Sequence, residues 1–248
     1  MSDSLAYSVI VPAFNEEVEL ARNLPLLQRA MERSGRPGEL IVVDNNSNDR
    51  TAEVARGLGA RVVFEPVNQI SRARNAGARA AAGRHLVFVD ADTAVSPGLL
   101  AAALANLESG RCAGGGAVVE LDAYPRRWVR SFVRLFNRLM VLRGLAAGAF
   151  VYCLREGFEA VGGFSQRLFA AEELAFSRSL RLWGRRHGLE FRVVTAHPVV
   201  TSSRKLRWHS TARVILSQGV LLLCPLALMS RRCCGFWYRR PADGQAPG

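Results

Sequence analysis

A chain of 248 residues with 49% apolar side chains and a formal charge of +12 can fill the core of one substantial α/β domain or two small ones, which excludes wholesale disorder. Basic residues outnumber acidic ones by 33 to 21, a balance suited to nucleotides, phosphates or an acidic membrane surface. Lys205 is the only lysine, so part of the excess is set aside as a compositional preference for arginine. The five cysteines, at 112, 153, 224, 233 and 234, have neither C-x-x-C spacing nor a disulfide rhythm. The opening "MSDSLAYSVIVPAF" lacks the basic and long apolar regions of a signal peptide. A reduced, cytoplasmic chain with mostly buried thiols is expected.

In chain order, Ser8–Phe14 reads as a strand and Glu16–Arg33 as a helix with apolar residues at helical spacing. Glu39–Val43 is a second strand, the stretch from about Arg50 to Leu58 a helix, and Arg61–Phe64 a third strand. Ser71–Ala82 is an Ala/Arg helix and Leu86–Val89 a fourth strand. Strict alternation of this kind makes βαβ units and a mainly parallel sheet with helices on both faces. Ligands of such sheets bind beyond the carboxyl ends of the strands.

Three strand ends carry polar clusters: Asn15–Glu16, Asp44–Asn45–Asn46, and the Asp90/Asp92 pair in "RHLVFVDADT". In a parallel sheet they share one edge. Side chains at i and i+2 of an extended segment project together, so Asp90 and Asp92 would repel unless a cation lies between them. Solvated turn residues are the alternative reading. For Ser47, Asn48 and Asp49, just ahead of a helix, capping is preferred. Neither G-x-G-x-x-G after the first strand nor G-x-x-x-x-G-K-[ST] occurs, which argues against a dinucleotide site or a P-loop. The glycines of "CAGGGAV", residues 112–118, read as a tight turn or a close backbone approach ahead of a strand, with phosphate cradling as the lesser alternative.

Further on, Tyr124–Arg143 places Trp128, Phe132, Leu135, Phe136, Leu139 and Met140 on one helical stripe among arginines. Such a helix packs on the sheet or faces lipid. Residues 160–184 give a loop and a helix with Glu172 and Glu173 in its first turn, where negative charge is favourable in any case. Val214–Ser230 is apolar but interrupted by Gln218, Gly219 and Pro225. It suits a helix in the membrane interface or against the domain better than a span. The tail "CCGFWYRRP" has residues of headgroup depth.

The segments "SVIVPAFNEE", "ELIVVDNNSNDRTAEVA", "ISRARNAGARAAAGRHLVFVDADT", "VGGF" and "AAEELAFSRSLRLWG" together resemble family 2 glycosyltransferases of the GT-A fold, over roughly residues 7–205. The resemblance implies a single Rossmann-like α/β domain over 1–206, a C-terminal membrane-associated helical extension over 207–240 and a disordered tail over 241–248. It implies that Pro12, Ala13, Asn15 and Glu16 line a nucleotide pocket and that Asp44 hydrogen-bonds the base. By the same resemblance Arg74 and Asn75 shape the nucleotide site. Asp90 lies near ribose and metal, and Asp92 is the principal ligand of Mg²⁺ or Mn²⁺. The Glu172–Glu173 pair matches the position of the general base, with Glu173 in the base place and the choice between them open. Ala175 stands where many relatives carry a second acid. His187 and His197 are downstream histidines read as structural. Within "TSSRK", Arg204 either reaches a diphosphate or forms a salt bridge.

The resemblance thus implies a metal-dependent inverting enzyme with a UDP- or GDP-sugar donor. The basic amphipathic helix and the apolar C-terminus point to the inner membrane face and a lipid-linked or saccharide acceptor, with a soluble small-metabolite acceptor left open. A nucleotidyltransferase would need a Gly-rich basic loop where "VPAFNEE" is acidic. A non-catalytic sugar-nucleotide-binding scaffold stays open. A nucleic-acid partner is not expected, because the arginines are scattered and no nucleic-acid motif occurs.

Overall fold

The computed structural model describes residues 5–204, 228–230 and 234. Most of the expected extension over 207–240 and the whole tail over 241–248 lie outside the described residues. Among the described residues no helix is long and apolar enough to cross a membrane.

The elements run β1 (Tyr7–Ala13), α1 (Glu17–Ser34), β2 (Gly38–Asp44), α2 (Thr51–Gly57), β3 (Arg61–Phe64), α3 (Ile70–Ala80), β4 (His85–Val89), β5 (Thr93–Ala94), α4 (Pro97–Glu108), β6 (Cys112–Leu121), α5 (Arg127–Arg143), β7 (Phe150–Leu154), α6 (Arg155–Ala160), α7 (Glu172–Arg186) and β8 (Glu190–Thr201). They form one sheet of order β3-β2-β1-β4-β7-β6-β8-β5. β1 to β4 pair in parallel, as the alternation of strand and helix requires. Pairing reverses at β7, which runs antiparallel to both β4 and β6, so the second half of the sheet is mixed.

β1 and β4 are buried along their whole length, as strands covered on both faces must be. One core layer joins Val9, Val11, Val87 and Val89 to Leu20, Leu24 and Leu27 of α1 and to Leu99, Leu100 and Leu104 of α4. The opposite layer joins Ile10, Ile41 and Phe88 to α3 and to Phe158, Phe164 and Phe176. Ser96 opens α4 by accepting from the Leu99 N–H at 3.2 Å, with Pro97 in the first turn. The thiols of Cys112, Cys153 and Cys234 are buried.

Two details differ from the sequence reading. The glycines 114–116 lie inside β6, not ahead of it, and they permit a close approach. A Cβ on Gly115 would fall 1.7 Å from the Arg192 carbonyl oxygen of the neighbouring strand. The apolar stripe of α5 divides in two. Val129, Phe136 and Met140 face inward, whereas Trp128, Phe132, Leu135 and Leu139 face solvent. Orientation is set by Asn137, whose side chain accepts from the Val119 N–H at 2.9 Å and donates to the Val119 C=O at 2.8 Å. Val119 lies beyond the last β6/β7 pair, Gly116–Val151, and next to a register shift in the β6/β8 ladder. Asn137→Ala leaves both unpaired and is expected to cost about 1–3 kcal/mol in urea unfolding. An unchanged midpoint would refute this anchoring role.

Candidate active site

The carboxyl ends of β1 and β2 are stitched together by hydrogen bonds between the loops that follow them. Asn15, held in the left-handed region at φ 52°, donates its N–H to Ser47 Oγ at 3.0 Å and accepts from the Asn48 N–H at 2.8 Å. The Glu16 N–H donates to Thr51 Oγ1 at 2.8 Å, and the Glu17 N–H to Asp49 Oδ2 at 3.3 Å. Asp49 also accepts from the Thr51 N–H at 2.9 Å, so it serves the first turns of two helices, in line with the capping reading. Asp44, buried at the end of β2, accepts from the Ser47 N–H at 3.0 Å. Pro12, Ala13, Asn15, Glu16 and Asp44 thus form one patch on the expected edge.

After β4 the backbone does not stay extended. The Thr93 N–H closes a turn onto the Asp90 carbonyl at 3.1 Å, and the Asn23 amide holds the Ala91 carbonyl at 3.0 Å. Asp90 and Asp92 consequently take different partners. Asp90 accepts from Arg74 Nη2 at 2.8 Å. Asp92 has only longer contacts: 3.5 and 3.4 Å to the Thr93 and Thr201 hydroxyls and 3.4 Å to Arg204.

Arg74 organises the centre. Its guanidinium, 1% exposed, donates to Asp90 at 2.8 Å, to Glu172 Oε1 at 2.9 Å and to the Gly148 carbonyl at 2.9 Å, and lies 5.1 Å from the Phe164 ring centroid. Burial works against its charge, but Asp90, Glu172 and Glu173 outweigh burial and hold its pKa above the usual arginine value. The next residue, Asn75, clamps the Phe164 backbone, donating to its C=O at 2.8 Å and accepting from its N–H at 2.9 Å. That clamp fixes the loop leading to α7. At the head of α7, Ala171 is forced to φ 59°, an arrangement that costs a non-glycine residue on the order of 1 kcal/mol. Glu172 is buried and tied to Arg74. Glu173 is half-buried against Gly148. Burial raises both carboxyls, Glu173 to about 8 with the help of repulsion from Glu172, while Arg74 opposes the shift.

Arg74, Asp90, Asp92, Glu172 and Glu173 line one cavity of about 310 Å³ together with Phe136, Gly148, Phe169, Thr201 and Ser202. The β1/β2 patch lies outside that lining. Phe136, Gly148 and Phe169 carried no sequence signal of a site, whereas Thr201 and Ser202 lie in the "TSSRK" segment. His187 packs on Trp183 and bonds its carbonyl, and His197 is exposed beside Gly98; neither lines the cavity. Arg204 is salt-bridged to Glu16 at 2.5 Å, to Glu19 at 3.4 Å and to Asp92 at 3.4 Å.

These donors suit a hard divalent ion in chemistry but not as a complete cage. Asp92 offers carboxylate oxygens whose present contacts are all near the outer limit of hydrogen bonding. Among the described residues no three His, Cys, Asp or Glu side chains converge on one point. Bound phosphate oxygens and water would have to complete the shell, as is usual for Mg²⁺.

Residues 8–165 match the sequence profile described as Glycosyl transferase family 2. The chain belongs to that family. An uncharacterised glycosyltransferase of Mycobacterium bovis is 38% identical to this family 2 chain over 105 residues, 42% of this chain and 45% of the relative. A dolichyl-phosphate β-glucosyltransferase of Drosophila melanogaster is 31% identical over 206 residues, 73% of this chain and 60% of the relative. The chain therefore spans less than two thirds of either relative. The mannosyltransferase PcManGT of Pyrobaculum calidifontis, solved with GDP-Man and Mn²⁺, superposes with a TM-score of 0.66 at 21% identity, covering 98% of this chain and 66% of that one. At that identity the likeness establishes the fold, which is GT-A.

Proposed function

We propose that this protein is a metal-dependent, inverting glycosyltransferase, a peripheral protein at the inner membrane face. It moves a sugar from a UDP- or GDP-sugar to a lipid-linked or other cell-envelope acceptor. One observation carries the reading: Asp90, Asp92 and the Glu172–Glu173 pair open onto a single cavity. The stitched β1/β2 patch receives the nucleotide, with Asp44 at the base. Asp92, beside Asp90, holds Mg²⁺ or Mn²⁺, which when bound stabilises charge on the leaving diphosphate as a Lewis acid. Arg74 and Asn75 hold the frame. Glu173 takes the proton of the acceptor hydroxyl, because Glu172 is committed to Arg74. The acceptor oxygen attacks the anomeric carbon from the side opposite the diphosphate, and the configuration inverts. The GDP-Man and Mn²⁺ complex of a structural neighbour and the dolichyl-phosphate substrate in a relative's name support the donor, metal and acceptor classes.

Thermal melts with a panel of nucleotides and nucleotide sugars, with and without Mn²⁺, test the reading. A matching donor at about 100 times its Kd should raise Tm by about 5–10 °C. Asp92→Ala should abolish the Mn²⁺-dependent part of that shift. No shift from any nucleotide would overturn the proposal.

A further inference from the structure

α5 is a helix with three distinct faces. Its inner face buries Val129, half-buries Phe136 and clamps Val119 of β6 through Asn137. Its outer face carries Trp128, Phe132, Leu135, Leu139 and Leu142, between 39% and 81% exposed. Their spacings of 4, 3, 4 and 3 residues, at 100° per residue, confine them to an arc of about 80°. Arg127, Arg130, Arg134 and Arg138 occupy the remaining sector, all exposed. The helix contains no acidic residue, and among the described residues none of its arginines joins an ion pair.

We propose that the outer face of α5 seats the protein on an anionic lipid bilayer. A water-facing apolar stripe of this length needs a cover. Charge decides among the possible covers. The stripe runs beside four exposed arginines with no carboxylate on the helix, a cationic rim that complements anionic headgroups, since arginine stems can lie along apolar surface while their heads reach phosphates. Trp128 at one end is an interfacial residue. The proposal deepens the glycosyltransferase reading and rests on it only for the consequence that follows. The same helix supplies Phe136 to the wall of the cavity holding Asp92 and Glu173, so the bilayer is brought alongside the catalytic centre.

The test is co-sedimentation of the full chain with vesicles of phosphatidylglycerol and phosphatidylcholine, against vesicles of phosphatidylcholine alone. Wild type should bind the mixed vesicles. A Phe132→Glu/Leu135→Glu variant should partition at least about tenfold more weakly, and Arg134→Gln/Arg138→Gln should weaken binding most at low salt. Both variants should keep the nucleotide-dependent rise in Tm, showing an intact fold and donor site. Equal binding of wild type and the Phe132/Leu135 variant would overturn the proposal, as would failure of wild type to bind. So would a wild-type dimer by light scattering that the variant converts to monomer without vesicle binding, since α5 would then join two copies. Vesicle binding without any nucleotide response would instead sink the glycosyltransferase reading and leave the surface standing.

Discussion

Glu173→Gln is expected to slow sugar transfer by roughly 10²–10⁴-fold while making the protein harder to unfold in mild alkali. The two effects share one cause. Burial, then repulsion from Glu172, moves the Glu173 carboxyl up to about 8, from an unfolded value of about 4.3. Between those limits the folded state keeps a proton that the unfolded state has lost, so folding stability falls as pH rises through the window. Above about 8 the folded protein carries a half-buried charge beside Glu172. Glutamine has no proton to lose, so its stability stays flat and should pass that of wild type as pH climbs. In the active protein kcat/KM should rise with pH toward the same value, because a base works only unprotonated. Melting curves and initial rates over a pH series check both halves. Wild-type turnover by Glu173→Gln would remove it as the base, and parallel melting curves would show that its charge is well solvated.

The second large effect belongs to Arg74. Arg74→Met should destabilise the protein by about 3–5 kcal/mol, because it leaves the buried Glu172 and the partly exposed Asp90 without their shared counter-charge. Arg74→Lys should recover little, since a point ammonium cannot span two carboxylates and a carbonyl as a planar fork does. Adding Glu172→Leu to Arg74→Met removes one orphaned charge and should restore part of the stability with transfer still absent. Denaturant unfolding of the four proteins measures this. A single Arg74→Met variant as stable as wild type would show that the ion cluster does not hold α3 to α7.

The parallel half of the fold was legible because it is local. Each strand from Ser8 to Val89 is a short apolar run closed by polar residues, and the structure places the three polar ends on one edge. The Arg61–Phe64 strand agrees to the residue. What was not legible depends on distant pairing. Arg74 and Glu172 are 98 positions apart, and Arg204 and Glu16 are 188 apart; no periodicity connects them. The turn at Asp90 is imposed by Asn23 on another element, so an extended reading of "DADT" was natural from the strand ahead of it. The division of the α5 stripe goes with the Asn137 clamp on Val119 of β6, a contact that leaves no mark in the helix's own spacing. The pair Glu172–Glu173 was visible, but the difference between them is made by Arg74.

Gly77 follows Arg74 by one turn on the side of α3 that meets the sheet. A Cβ there would come within 2.3 Å of Ile10 Cγ2 and 2.9 Å of Val43 Cγ2. A helix moves as a stiff rod, so whatever lifts residue 77 off β1 and β2 also withdraws the guanidinium from its carboxylates. The position is not part of the cavity lining, yet a single added methyl group there would be felt at the Arg74 ion cluster by leverage. As homologous sequences diverge, position 77 should therefore stay as closed to change as a residue that touches substrate, for want of thickness rather than for any chemistry of its own.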